Sequence, residues 1–167
     1  MQLPGPFQPT LMHLNGRTVN RLVDELIAEC RIEELRECIK GGIDLASENP
    51  RFRRVAGRLF IGMVSIWGLS HSQVAELLGV SPAIYGQWEN NEFSSINSEL
   101  IEKISCLIGI CKYLDTLYSG KVDRIGRWLS TRNSGAVFDG KSPFELLAGS
   151  DPSVFHLVRR TVAAMTV

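Results

Sequence analysis

Residues 67–90 read WGLSHSQVAELLGVSPAIYGQWEN, and this stretch decides the fold. Ser70 and Ser81 are residue types that cap helix starts, and Pro82 fits the first helical position that follows such a cap. Gly79 lies between the two predicted helices and favours the positive φ that a tight turn needs. The stretch therefore predicts two short helices joined by a tight turn, which is the helix-turn-helix arrangement.

The second of these helices is predicted to have two different faces. Tyr85 and Trp88 are three residues apart, so they predict the face that packs into the protein. At about 100° per residue, the opposite face carries Ala83, Gly86, Gln87 and Asn90. Glutamine and asparagine can each make two hydrogen bonds to adenine in the major groove of DNA, and alanine can contact the thymine methyl group. This face therefore predicts DNA recognition that favours A·T base pairs.

Contacts to DNA phosphates are predicted outside this face, because it carries no arginine or lysine. Gln73 is placed to bind a phosphate together with the start of the first helix, and Ser81 is a further predicted DNA contact. The remaining positive charge is predicted to come from the preceding helix, at Arg51, Arg54, Arg53 and Arg58. Those arginines also suit an ordinary solvated face, and the two helices also suit a plain hairpin within a helical bundle.

The flanking sequence predicts further helices and no strand, so the fold class is all-α. Asn49–Pro50 predicts a helix that ends at Gly68, and apolar spacing predicts a long helix over residues 97–118. Shorter helices are predicted to begin near Val122, at Ser142–Pro143 and at Asp151–Pro152. The predicted division is an N-terminal arm and helical extension (1–48), a helix-turn-helix domain (49–95), a connecting or dimerisation helix (96–120) and a small C-terminal helical domain (121–167).

Composition argues against several functional classes. Lysine plus arginine equals aspartate plus glutamate at 18 each, and this balance disfavours charge-driven coating of nucleic acid. No apolar run approaches the roughly 18 residues of a membrane span, and no secretion signal is apparent, so we expect a cytoplasmic protein that binds no membrane. We also expect no enzyme activity, because no phosphate-binding loop, carboxylate pair or Ser-His-Asp pattern is present.

The cysteines are predicted to be reduced and buried, without metal or cofactor. They form no CxxC pair, and the three histidines share no ligand spacing with them. The cysteines are Cys30, Cys38, Cys106 and Cys111.

Charge is distributed unevenly along the chain. Residues 1–50 carry five basic and eight acidic side chains, whereas residues 121–167 carry seven basic and four acidic ones. This difference predicts different partners for the two ends, although solvated helix faces would produce the same pattern.

Two segments resemble one family of bacterial proteins. The pattern WGLS…VAELLGVS…Y..W, which begins at Trp67, resembles the Xre-type helix-turn-helix of antitoxins. RWLSTRN (127–133), followed by GKSPFELLAGSDPSVFHLV (140–158), is similar to the toxin-binding domain of the MbcA/ParS/Xre antitoxin family. Together the two segments span roughly residues 51–160.

The resemblance implies a type II toxin–antitoxin pair. Such an antitoxin represses its own operon, usually as a dimer, and covers the active site of a RES-type toxin that degrades NAD. The resemblance implies that the C-terminal fold is organised by Trp128, Pro143, Leu146 and Leu147. Ordinary packing in a hydrophobic core would equally explain these residue types. The implied toxin contacts are Arg159, Arg160, Ala163, Ala164, Thr166 and Val167. The last residues, TVAAMTV, depart from the glycine-containing tail of many members.

Two other functions fit the same residues. One is a stand-alone helix-turn-helix transcription regulator whose C-terminal domain senses a ligand or dimerises. The other is an adaptor protein in which the uncharged face no longer binds DNA. An adjacent gene for a small toxin-like protein would favour the antitoxin.

Overall fold

Most of the helices begin where the sequence predicts them, at a side chain that caps the helix start. The computed structural model describes residues 49–166, and this range contains seven helices and no strand. They are α1 (Pro50–Trp67), α2 (His71–Leu78), α3 (Pro82–Glu89), α4 (Ser98–Leu117), α5 (Val122–Trp128), α6 (Pro143–Leu147) and α7 (Pro152–Ala164). The all-α prediction is confirmed for these residues, whereas the predicted arm and extension over 1–48 lie outside them.

The ends of α1 and α2 illustrate how local chemistry sets these boundaries. Asn49 Oδ1 accepts a hydrogen bond from the backbone N–H of Arg51 at 2.9 Å, and Pro50 occupies the first position of α1. Gly68 ends α1 at φ 64°, and Gly79 ends α2 at φ 73°. Both glycines adopt the left-handed conformation that other residues rarely take, so the predicted tight turn after α2 is confirmed.

α4 is the central helix of the described part of the chain. It packs against α1 on one side and α7 on another, so Ile104, Leu107 and Ile110 have no exposed surface. The exposed stripe that remains is polar and includes Ser105, Lys112 and Thr116. The helix-turn-helix and the C-terminal helices therefore share one continuous hydrophobic core around α4.

Polar contacts also join the C-terminal part to the end of α2. The buried Lys103 ammonium donates to the Leu78 carbonyl at 3.2 Å and forms an ion pair with Glu99 at 3.3 Å. The same ammonium lies 5.5 Å from the centre of the Phe155 ring on α7. Because Leu78 is the last residue of α2, Lys103 links the turn of the helix-turn-helix to α7.

α5 packs against both α1 and α4, and the loop after it covers Trp128. A Cβ atom on Gly126 would lie only 2.7 Å from the Ile66 carbonyl oxygen, so this glycine permits the close approach of α5 to α1. Trp128 packs edge-on against Phe138 in the loop, with ring centres 6.1 Å apart. Within residues 49–166, no helix combines the length and apolarity needed to cross a membrane.

Candidate nucleic-acid interface

The turn between α2 and α3 is tightly hydrogen-bonded. The backbone N–H of Val80 donates to the Ala75 carbonyl at 3.0 Å, which closes the end of α2. Ser81 Oγ then accepts from the N–H of Ile84 at 3.3 Å and caps the start of α3. Ala75 is only 3 % exposed, consistent with the small residue required where the two helices cross. These contacts fix the direction of α3 relative to α2.

Two aromatic anchors hold the inner face of α3 in the core. Tyr85 is buried, and Trp88 has no exposed surface. Both rings meet the Phe60 ring of α1 edge-on, with centres 6.3 and 6.0 Å away respectively. The indole N–H of Trp88 donates to Ser95 Oγ at 2.9 Å, so the polar atom of this buried ring is satisfied. The inward direction predicted from the three-residue spacing is therefore confirmed.

The opposite face of α3 is uncovered by the described residues. Ala83, Gln87 and Asn90 are exposed, as the helical spacing predicts. Gly86 lies among them, and a Cβ atom built there would have no heavy-atom neighbour within 4 Å. The glycine is therefore not required by packing inside the chain. The structure brings all four residues to one accessible side of α3.

The two predicted contacts at helix starts already serve as caps. Gln73 Oε1 accepts from the N–H of Ser70 at 2.9 Å, while Ser70 Oγ accepts from the N–H of Gln73 at 3.2 Å. This reciprocal pair is a capping box, so the amide oxygen of Gln73 is engaged by its own helix. Ser81 likewise accepts from α3, yet both side chains are exposed. Their donor groups still face solvent beside the start of each helix.

The arginines of α1 divide into two groups. Arg51 and Arg54 are exposed, whereas Arg53 and Arg58 are half-buried. Arg58 Nη2 donates to Asn91 Oδ1 at 3.3 Å, which ties α1 to the residue after the cap of α3. Arg58 therefore supports the position of α3, and Arg51 and Arg54 present positive charge at the surface of α1.

A contact between α2 and α3 has no signal in the sequence. His71 Nε2 lies 3.1 Å from a carboxylate oxygen of Glu89, and the His71 ring stacks edge-on against Tyr85 at 5.4 Å. Burial, together with the charge of Glu89, raises the pKa of Tyr85 to about 12. The phenol therefore stays neutral at physiological pH, and the inner face of α3 carries no charge from Tyr85.

The C-terminal positions implied by the resemblance are spread around α7. Arg160 and Ala164 are exposed, Arg159, Ala163 and Thr166 are half-buried, and Val167 lies outside the described residues. The guanidinium of Arg159 lies across α4, because a Cβ atom on Gly109 would be 2.5 Å from Arg159 Nε. Arg159 thus packs on its own chain.

Exposed apolar side chains on α7 and just after it were not identified from the sequence. Leu157 is 40 % exposed and Met165 is 47 % exposed, and these are the exposed large hydrophobic residues of the described range. They lie eight residues apart, a spacing that places both on one side of a helix. The sequence did not predict their exposure, because an apolar residue in an amphipathic helix is normally expected to lie on the buried side.

A cysteine–histidine contact lies between α4 and α7. Cys106 Sγ is 3.4 Å from His156 Nδ1, and Cys106 has no exposed surface. Burial raises the pKa of Cys106 to about 11, although the charge of Arg159 opposes this shift. The thiol is therefore protonated near neutral pH.

Comparison with known proteins agrees with the geometry of α2 and α3. No curated protein and no solved structure matches the chain. Residues 68–112 match a family model described as helix-turn-helix, which covers α2, α3 and most of α4. Proteins of this family are DNA-binding regulators and typically not enzymes. Residues 68–112 are therefore an Xre-like helix-turn-helix domain, of the kind found in DNA-binding transcription regulators.

Proposed function

We propose that the chain is a transcription repressor that binds operator DNA through the exposed face of α3. One observation carries this proposal: Tyr85 and Trp88 hold one side of α3 in the core, while Gln87 and Asn90 on the other side are exposed. A recognition helix needs this division, because it must be fixed to its domain and free to enter the major groove.

The chemistry of this face favours adenine and thymine. Gln87 and Asn90 each have an amide that can donate to and accept from adenine, and the Ala83 methyl group can contact a thymine methyl. The face adds no positive charge, so the phosphate contacts fall to Arg51, Arg54 and the starts of α2 and α3 near Gln73 and Ser81. A homodimer would double these contacts and offset a weak single site.

The double variant Gln87→Ala/Asn90→Ala should bind the operator roughly 10- to 100-fold more weakly than the parent chain, because two adenine contacts are lost. The measurement is a gel-shift with a DNA fragment from the chain's own promoter, repeated at several salt concentrations. The control is Ser105→Ala/Thr116→Ala, which changes two exposed polar residues of α4. Wild-type affinity in the double variant, or no salt-dependent shift by the parent chain, would contradict the proposal.

We further propose that the C-terminal part binds and silences a cognate toxin. The support is the resemblance of residues 127–158 to an antitoxin domain, together with the exposed side chains of Leu157 and Met165. Apolar side chains that are exposed together are typical of protein interaction sites. Arg160 and Ala164 would extend this surface, and Ala163 and Thr166 would lie at its edge. The partner implied by the resemblance is a RES-type toxin that degrades NAD.

The variant Leu157→Asp/Met165→Asp should lose toxin neutralisation, because two charges would be buried without partners in the complex. The measurement is co-expression with the product of the adjacent gene, with cell survival and co-purification as readouts. Ser105→Asp/Thr116→Asp is the matched control, since it places the same two negative charges at exposed positions of α4.

A harmless neighbouring gene product, or unchanged co-purification of the Leu157→Asp/Met165→Asp variant, would contradict the antitoxin proposal. A harmless neighbour would favour instead a stand-alone regulator with a ligand-sensing or dimerisation domain. The co-expression assay does not depend on operator binding, so the operator proposal and the antitoxin proposal can be contradicted independently of each other.

A further inference from the structure

A pocket of about 500 Å³ opens beside α5. It includes none of the side chains proposed to contact DNA or toxin, although five of its lining residues lie in the segment 127–133 that resembles the antitoxin domain. Its walls come from the end of α4, from α5 and from the first residues of the following loop. The lining residues are Tyr118, Arg124, Arg127, Trp128, Thr131, Arg132 and Asn133. Three of these seven residues are arginines, and none is acidic.

Each arginine is positioned by one contact that leaves other donors available. Arg124 lies over the Tyr118 ring, 5.7 Å from its centre. Arg127 Nε donates to the Asp123 carbonyl at 3.2 Å, and Arg132 Nη1 donates to the Gly140 carbonyl at 3.2 Å. A guanidinium has five N–H donors, so neither hydrogen bond exhausts its capacity.

The positive charge of this pocket is not neutralised by the described part of the chain. The ion pairs within residues 49–166 are His71–Glu89 and Lys103–Glu99, and neither involves a pocket arginine. Asn133 adds polarity, because its Oδ1 accepts from the N–H of Gly135 at 2.8 Å and its amide N–H₂ remains a donor. All three arginines are exposed, so solvent screens their mutual repulsion, and an anion placed between them would be attracted by each.

We propose that this pocket binds a phosphate-bearing small molecule of nucleotide size. Guanidinium groups match phosphate oxygens through paired hydrogen bonds, and three of them suit more than one phosphate. The volume lies within the range of about 300–1,000 Å³ that is typical of small-molecule sites. The half-buried Tyr118 supplies aromatic surface in the same pocket, which suits a planar base, whereas the ring of Trp128 is buried and only borders it. The site is independent of the exposed face of α3.

Isothermal titration calorimetry with ATP and with inorganic phosphate tests the proposal on the full chain. ATP should bind the parent protein, and Arg124→Gln, Arg127→Gln and Arg132→Gln should each weaken ATP binding roughly tenfold. The triple variant should lose measurable binding. The control is Lys112→Gln, which removes an exposed charge of α4 outside the pocket and should leave ATP affinity unchanged. Far-UV circular dichroism of each variant reports whether the helices are retained.

Three results would overturn the proposal. The first is no heat of ATP binding by the folded parent chain. The second is an equal loss in Lys112→Gln, which would mean attraction to general surface charge. The third is a triple variant that weakens only duplex DNA binding, which would assign the arginines to the DNA backbone. Gln87→Ala/Asn90→Ala should keep full ATP binding, so failure of the operator proposal and failure of this one are distinguishable.

Discussion

Replacing Trp88 by alanine should lower the free energy of unfolding by about 3–5 kcal/mol. The side chain has no exposed surface, and its ring meets the rings of Phe60 and Tyr85, each with centres 6.0 Å away. Truncation would leave a cavity between α1 and α3 that neither rigid helix can close. The measurement is urea unfolding followed by far-UV circular dichroism, with operator binding assayed at the same temperature.

Two further variants separate packing from hydrogen bonding at this position. Trp88→Phe keeps an aromatic ring in the core and should cost less than Trp88→Ala. Ser95→Ala removes the acceptor of the indole N–H, which is 2.9 Å away, and should cost about 1–3 kcal/mol through the unsatisfied donor. A loss below about 1 kcal/mol for Trp88→Ala would contradict the burial of this ring. The orientation of α3 on which operator recognition depends would then be wrong as well.

Helix boundaries were predictable because their chemistry is local. At Asn49, Ser81 and Ser142 the capping oxygen accepts from an N–H two or three residues away, and a proline follows each cap directly. A cap involves only residues within one helical turn, so the local sequence is enough to predict where the helix begins. The two faces of α3 were predictable for the same reason, since the angle per residue is fixed within one helix.

Contacts between distant residues had no comparable signal. The buried ammonium of Lys103 reaches the Leu78 carbonyl 25 positions earlier, and Arg159 lies across Gly109 on another helix. Neither contact follows from spacing along the chain, because the first depends on where α4 lies relative to the end of α2 and the second on how α7 crosses α4. The arginine pocket beside α5 was also not predicted, although its lining residues all lie within 118–133, because its shape depends on the path of the loop after α5.

The role of α4 was also underestimated from sequence. Its apolar stripe predicts one buried side, which fits a connecting or dimerisation helix, but Cys106 and Ile110 have no exposed surface either. α7 covers this further side, so α4 is a core helix on most of its circumference. A division of the sequence into separate domains does not predict this arrangement, because α1 and α7 are far apart in sequence and both cover α4.

Truncating the chain after Asp151 should therefore abolish operator binding as well as toxin binding, although a division into independent domains predicts that operator binding survives. The deletion removes Phe155, Val158 and Val162, none of which has exposed surface. Burial of such side chains stabilises a protein by roughly 1.5–3 kcal/mol each, which together is comparable to the roughly 5–15 kcal/mol of a whole domain. Thermal unfolding and the promoter gel-shift measure both consequences.

The same core explains why surface substitutions are the proper way to separate the two activities. Leu157→Asp/Met165→Asp alters exposed positions of the C-terminal surface, so this variant should unfold cooperatively near the parent temperature and still shift the promoter fragment. The truncated chain should neither unfold cooperatively nor shift the promoter fragment, because removing α7 exposes the apolar side of α4 around Cys106 and Ile110. A truncated chain that retained cooperative unfolding and wild-type operator affinity would mean that the helix-turn-helix carries its own core, and α7 would then be an appendage.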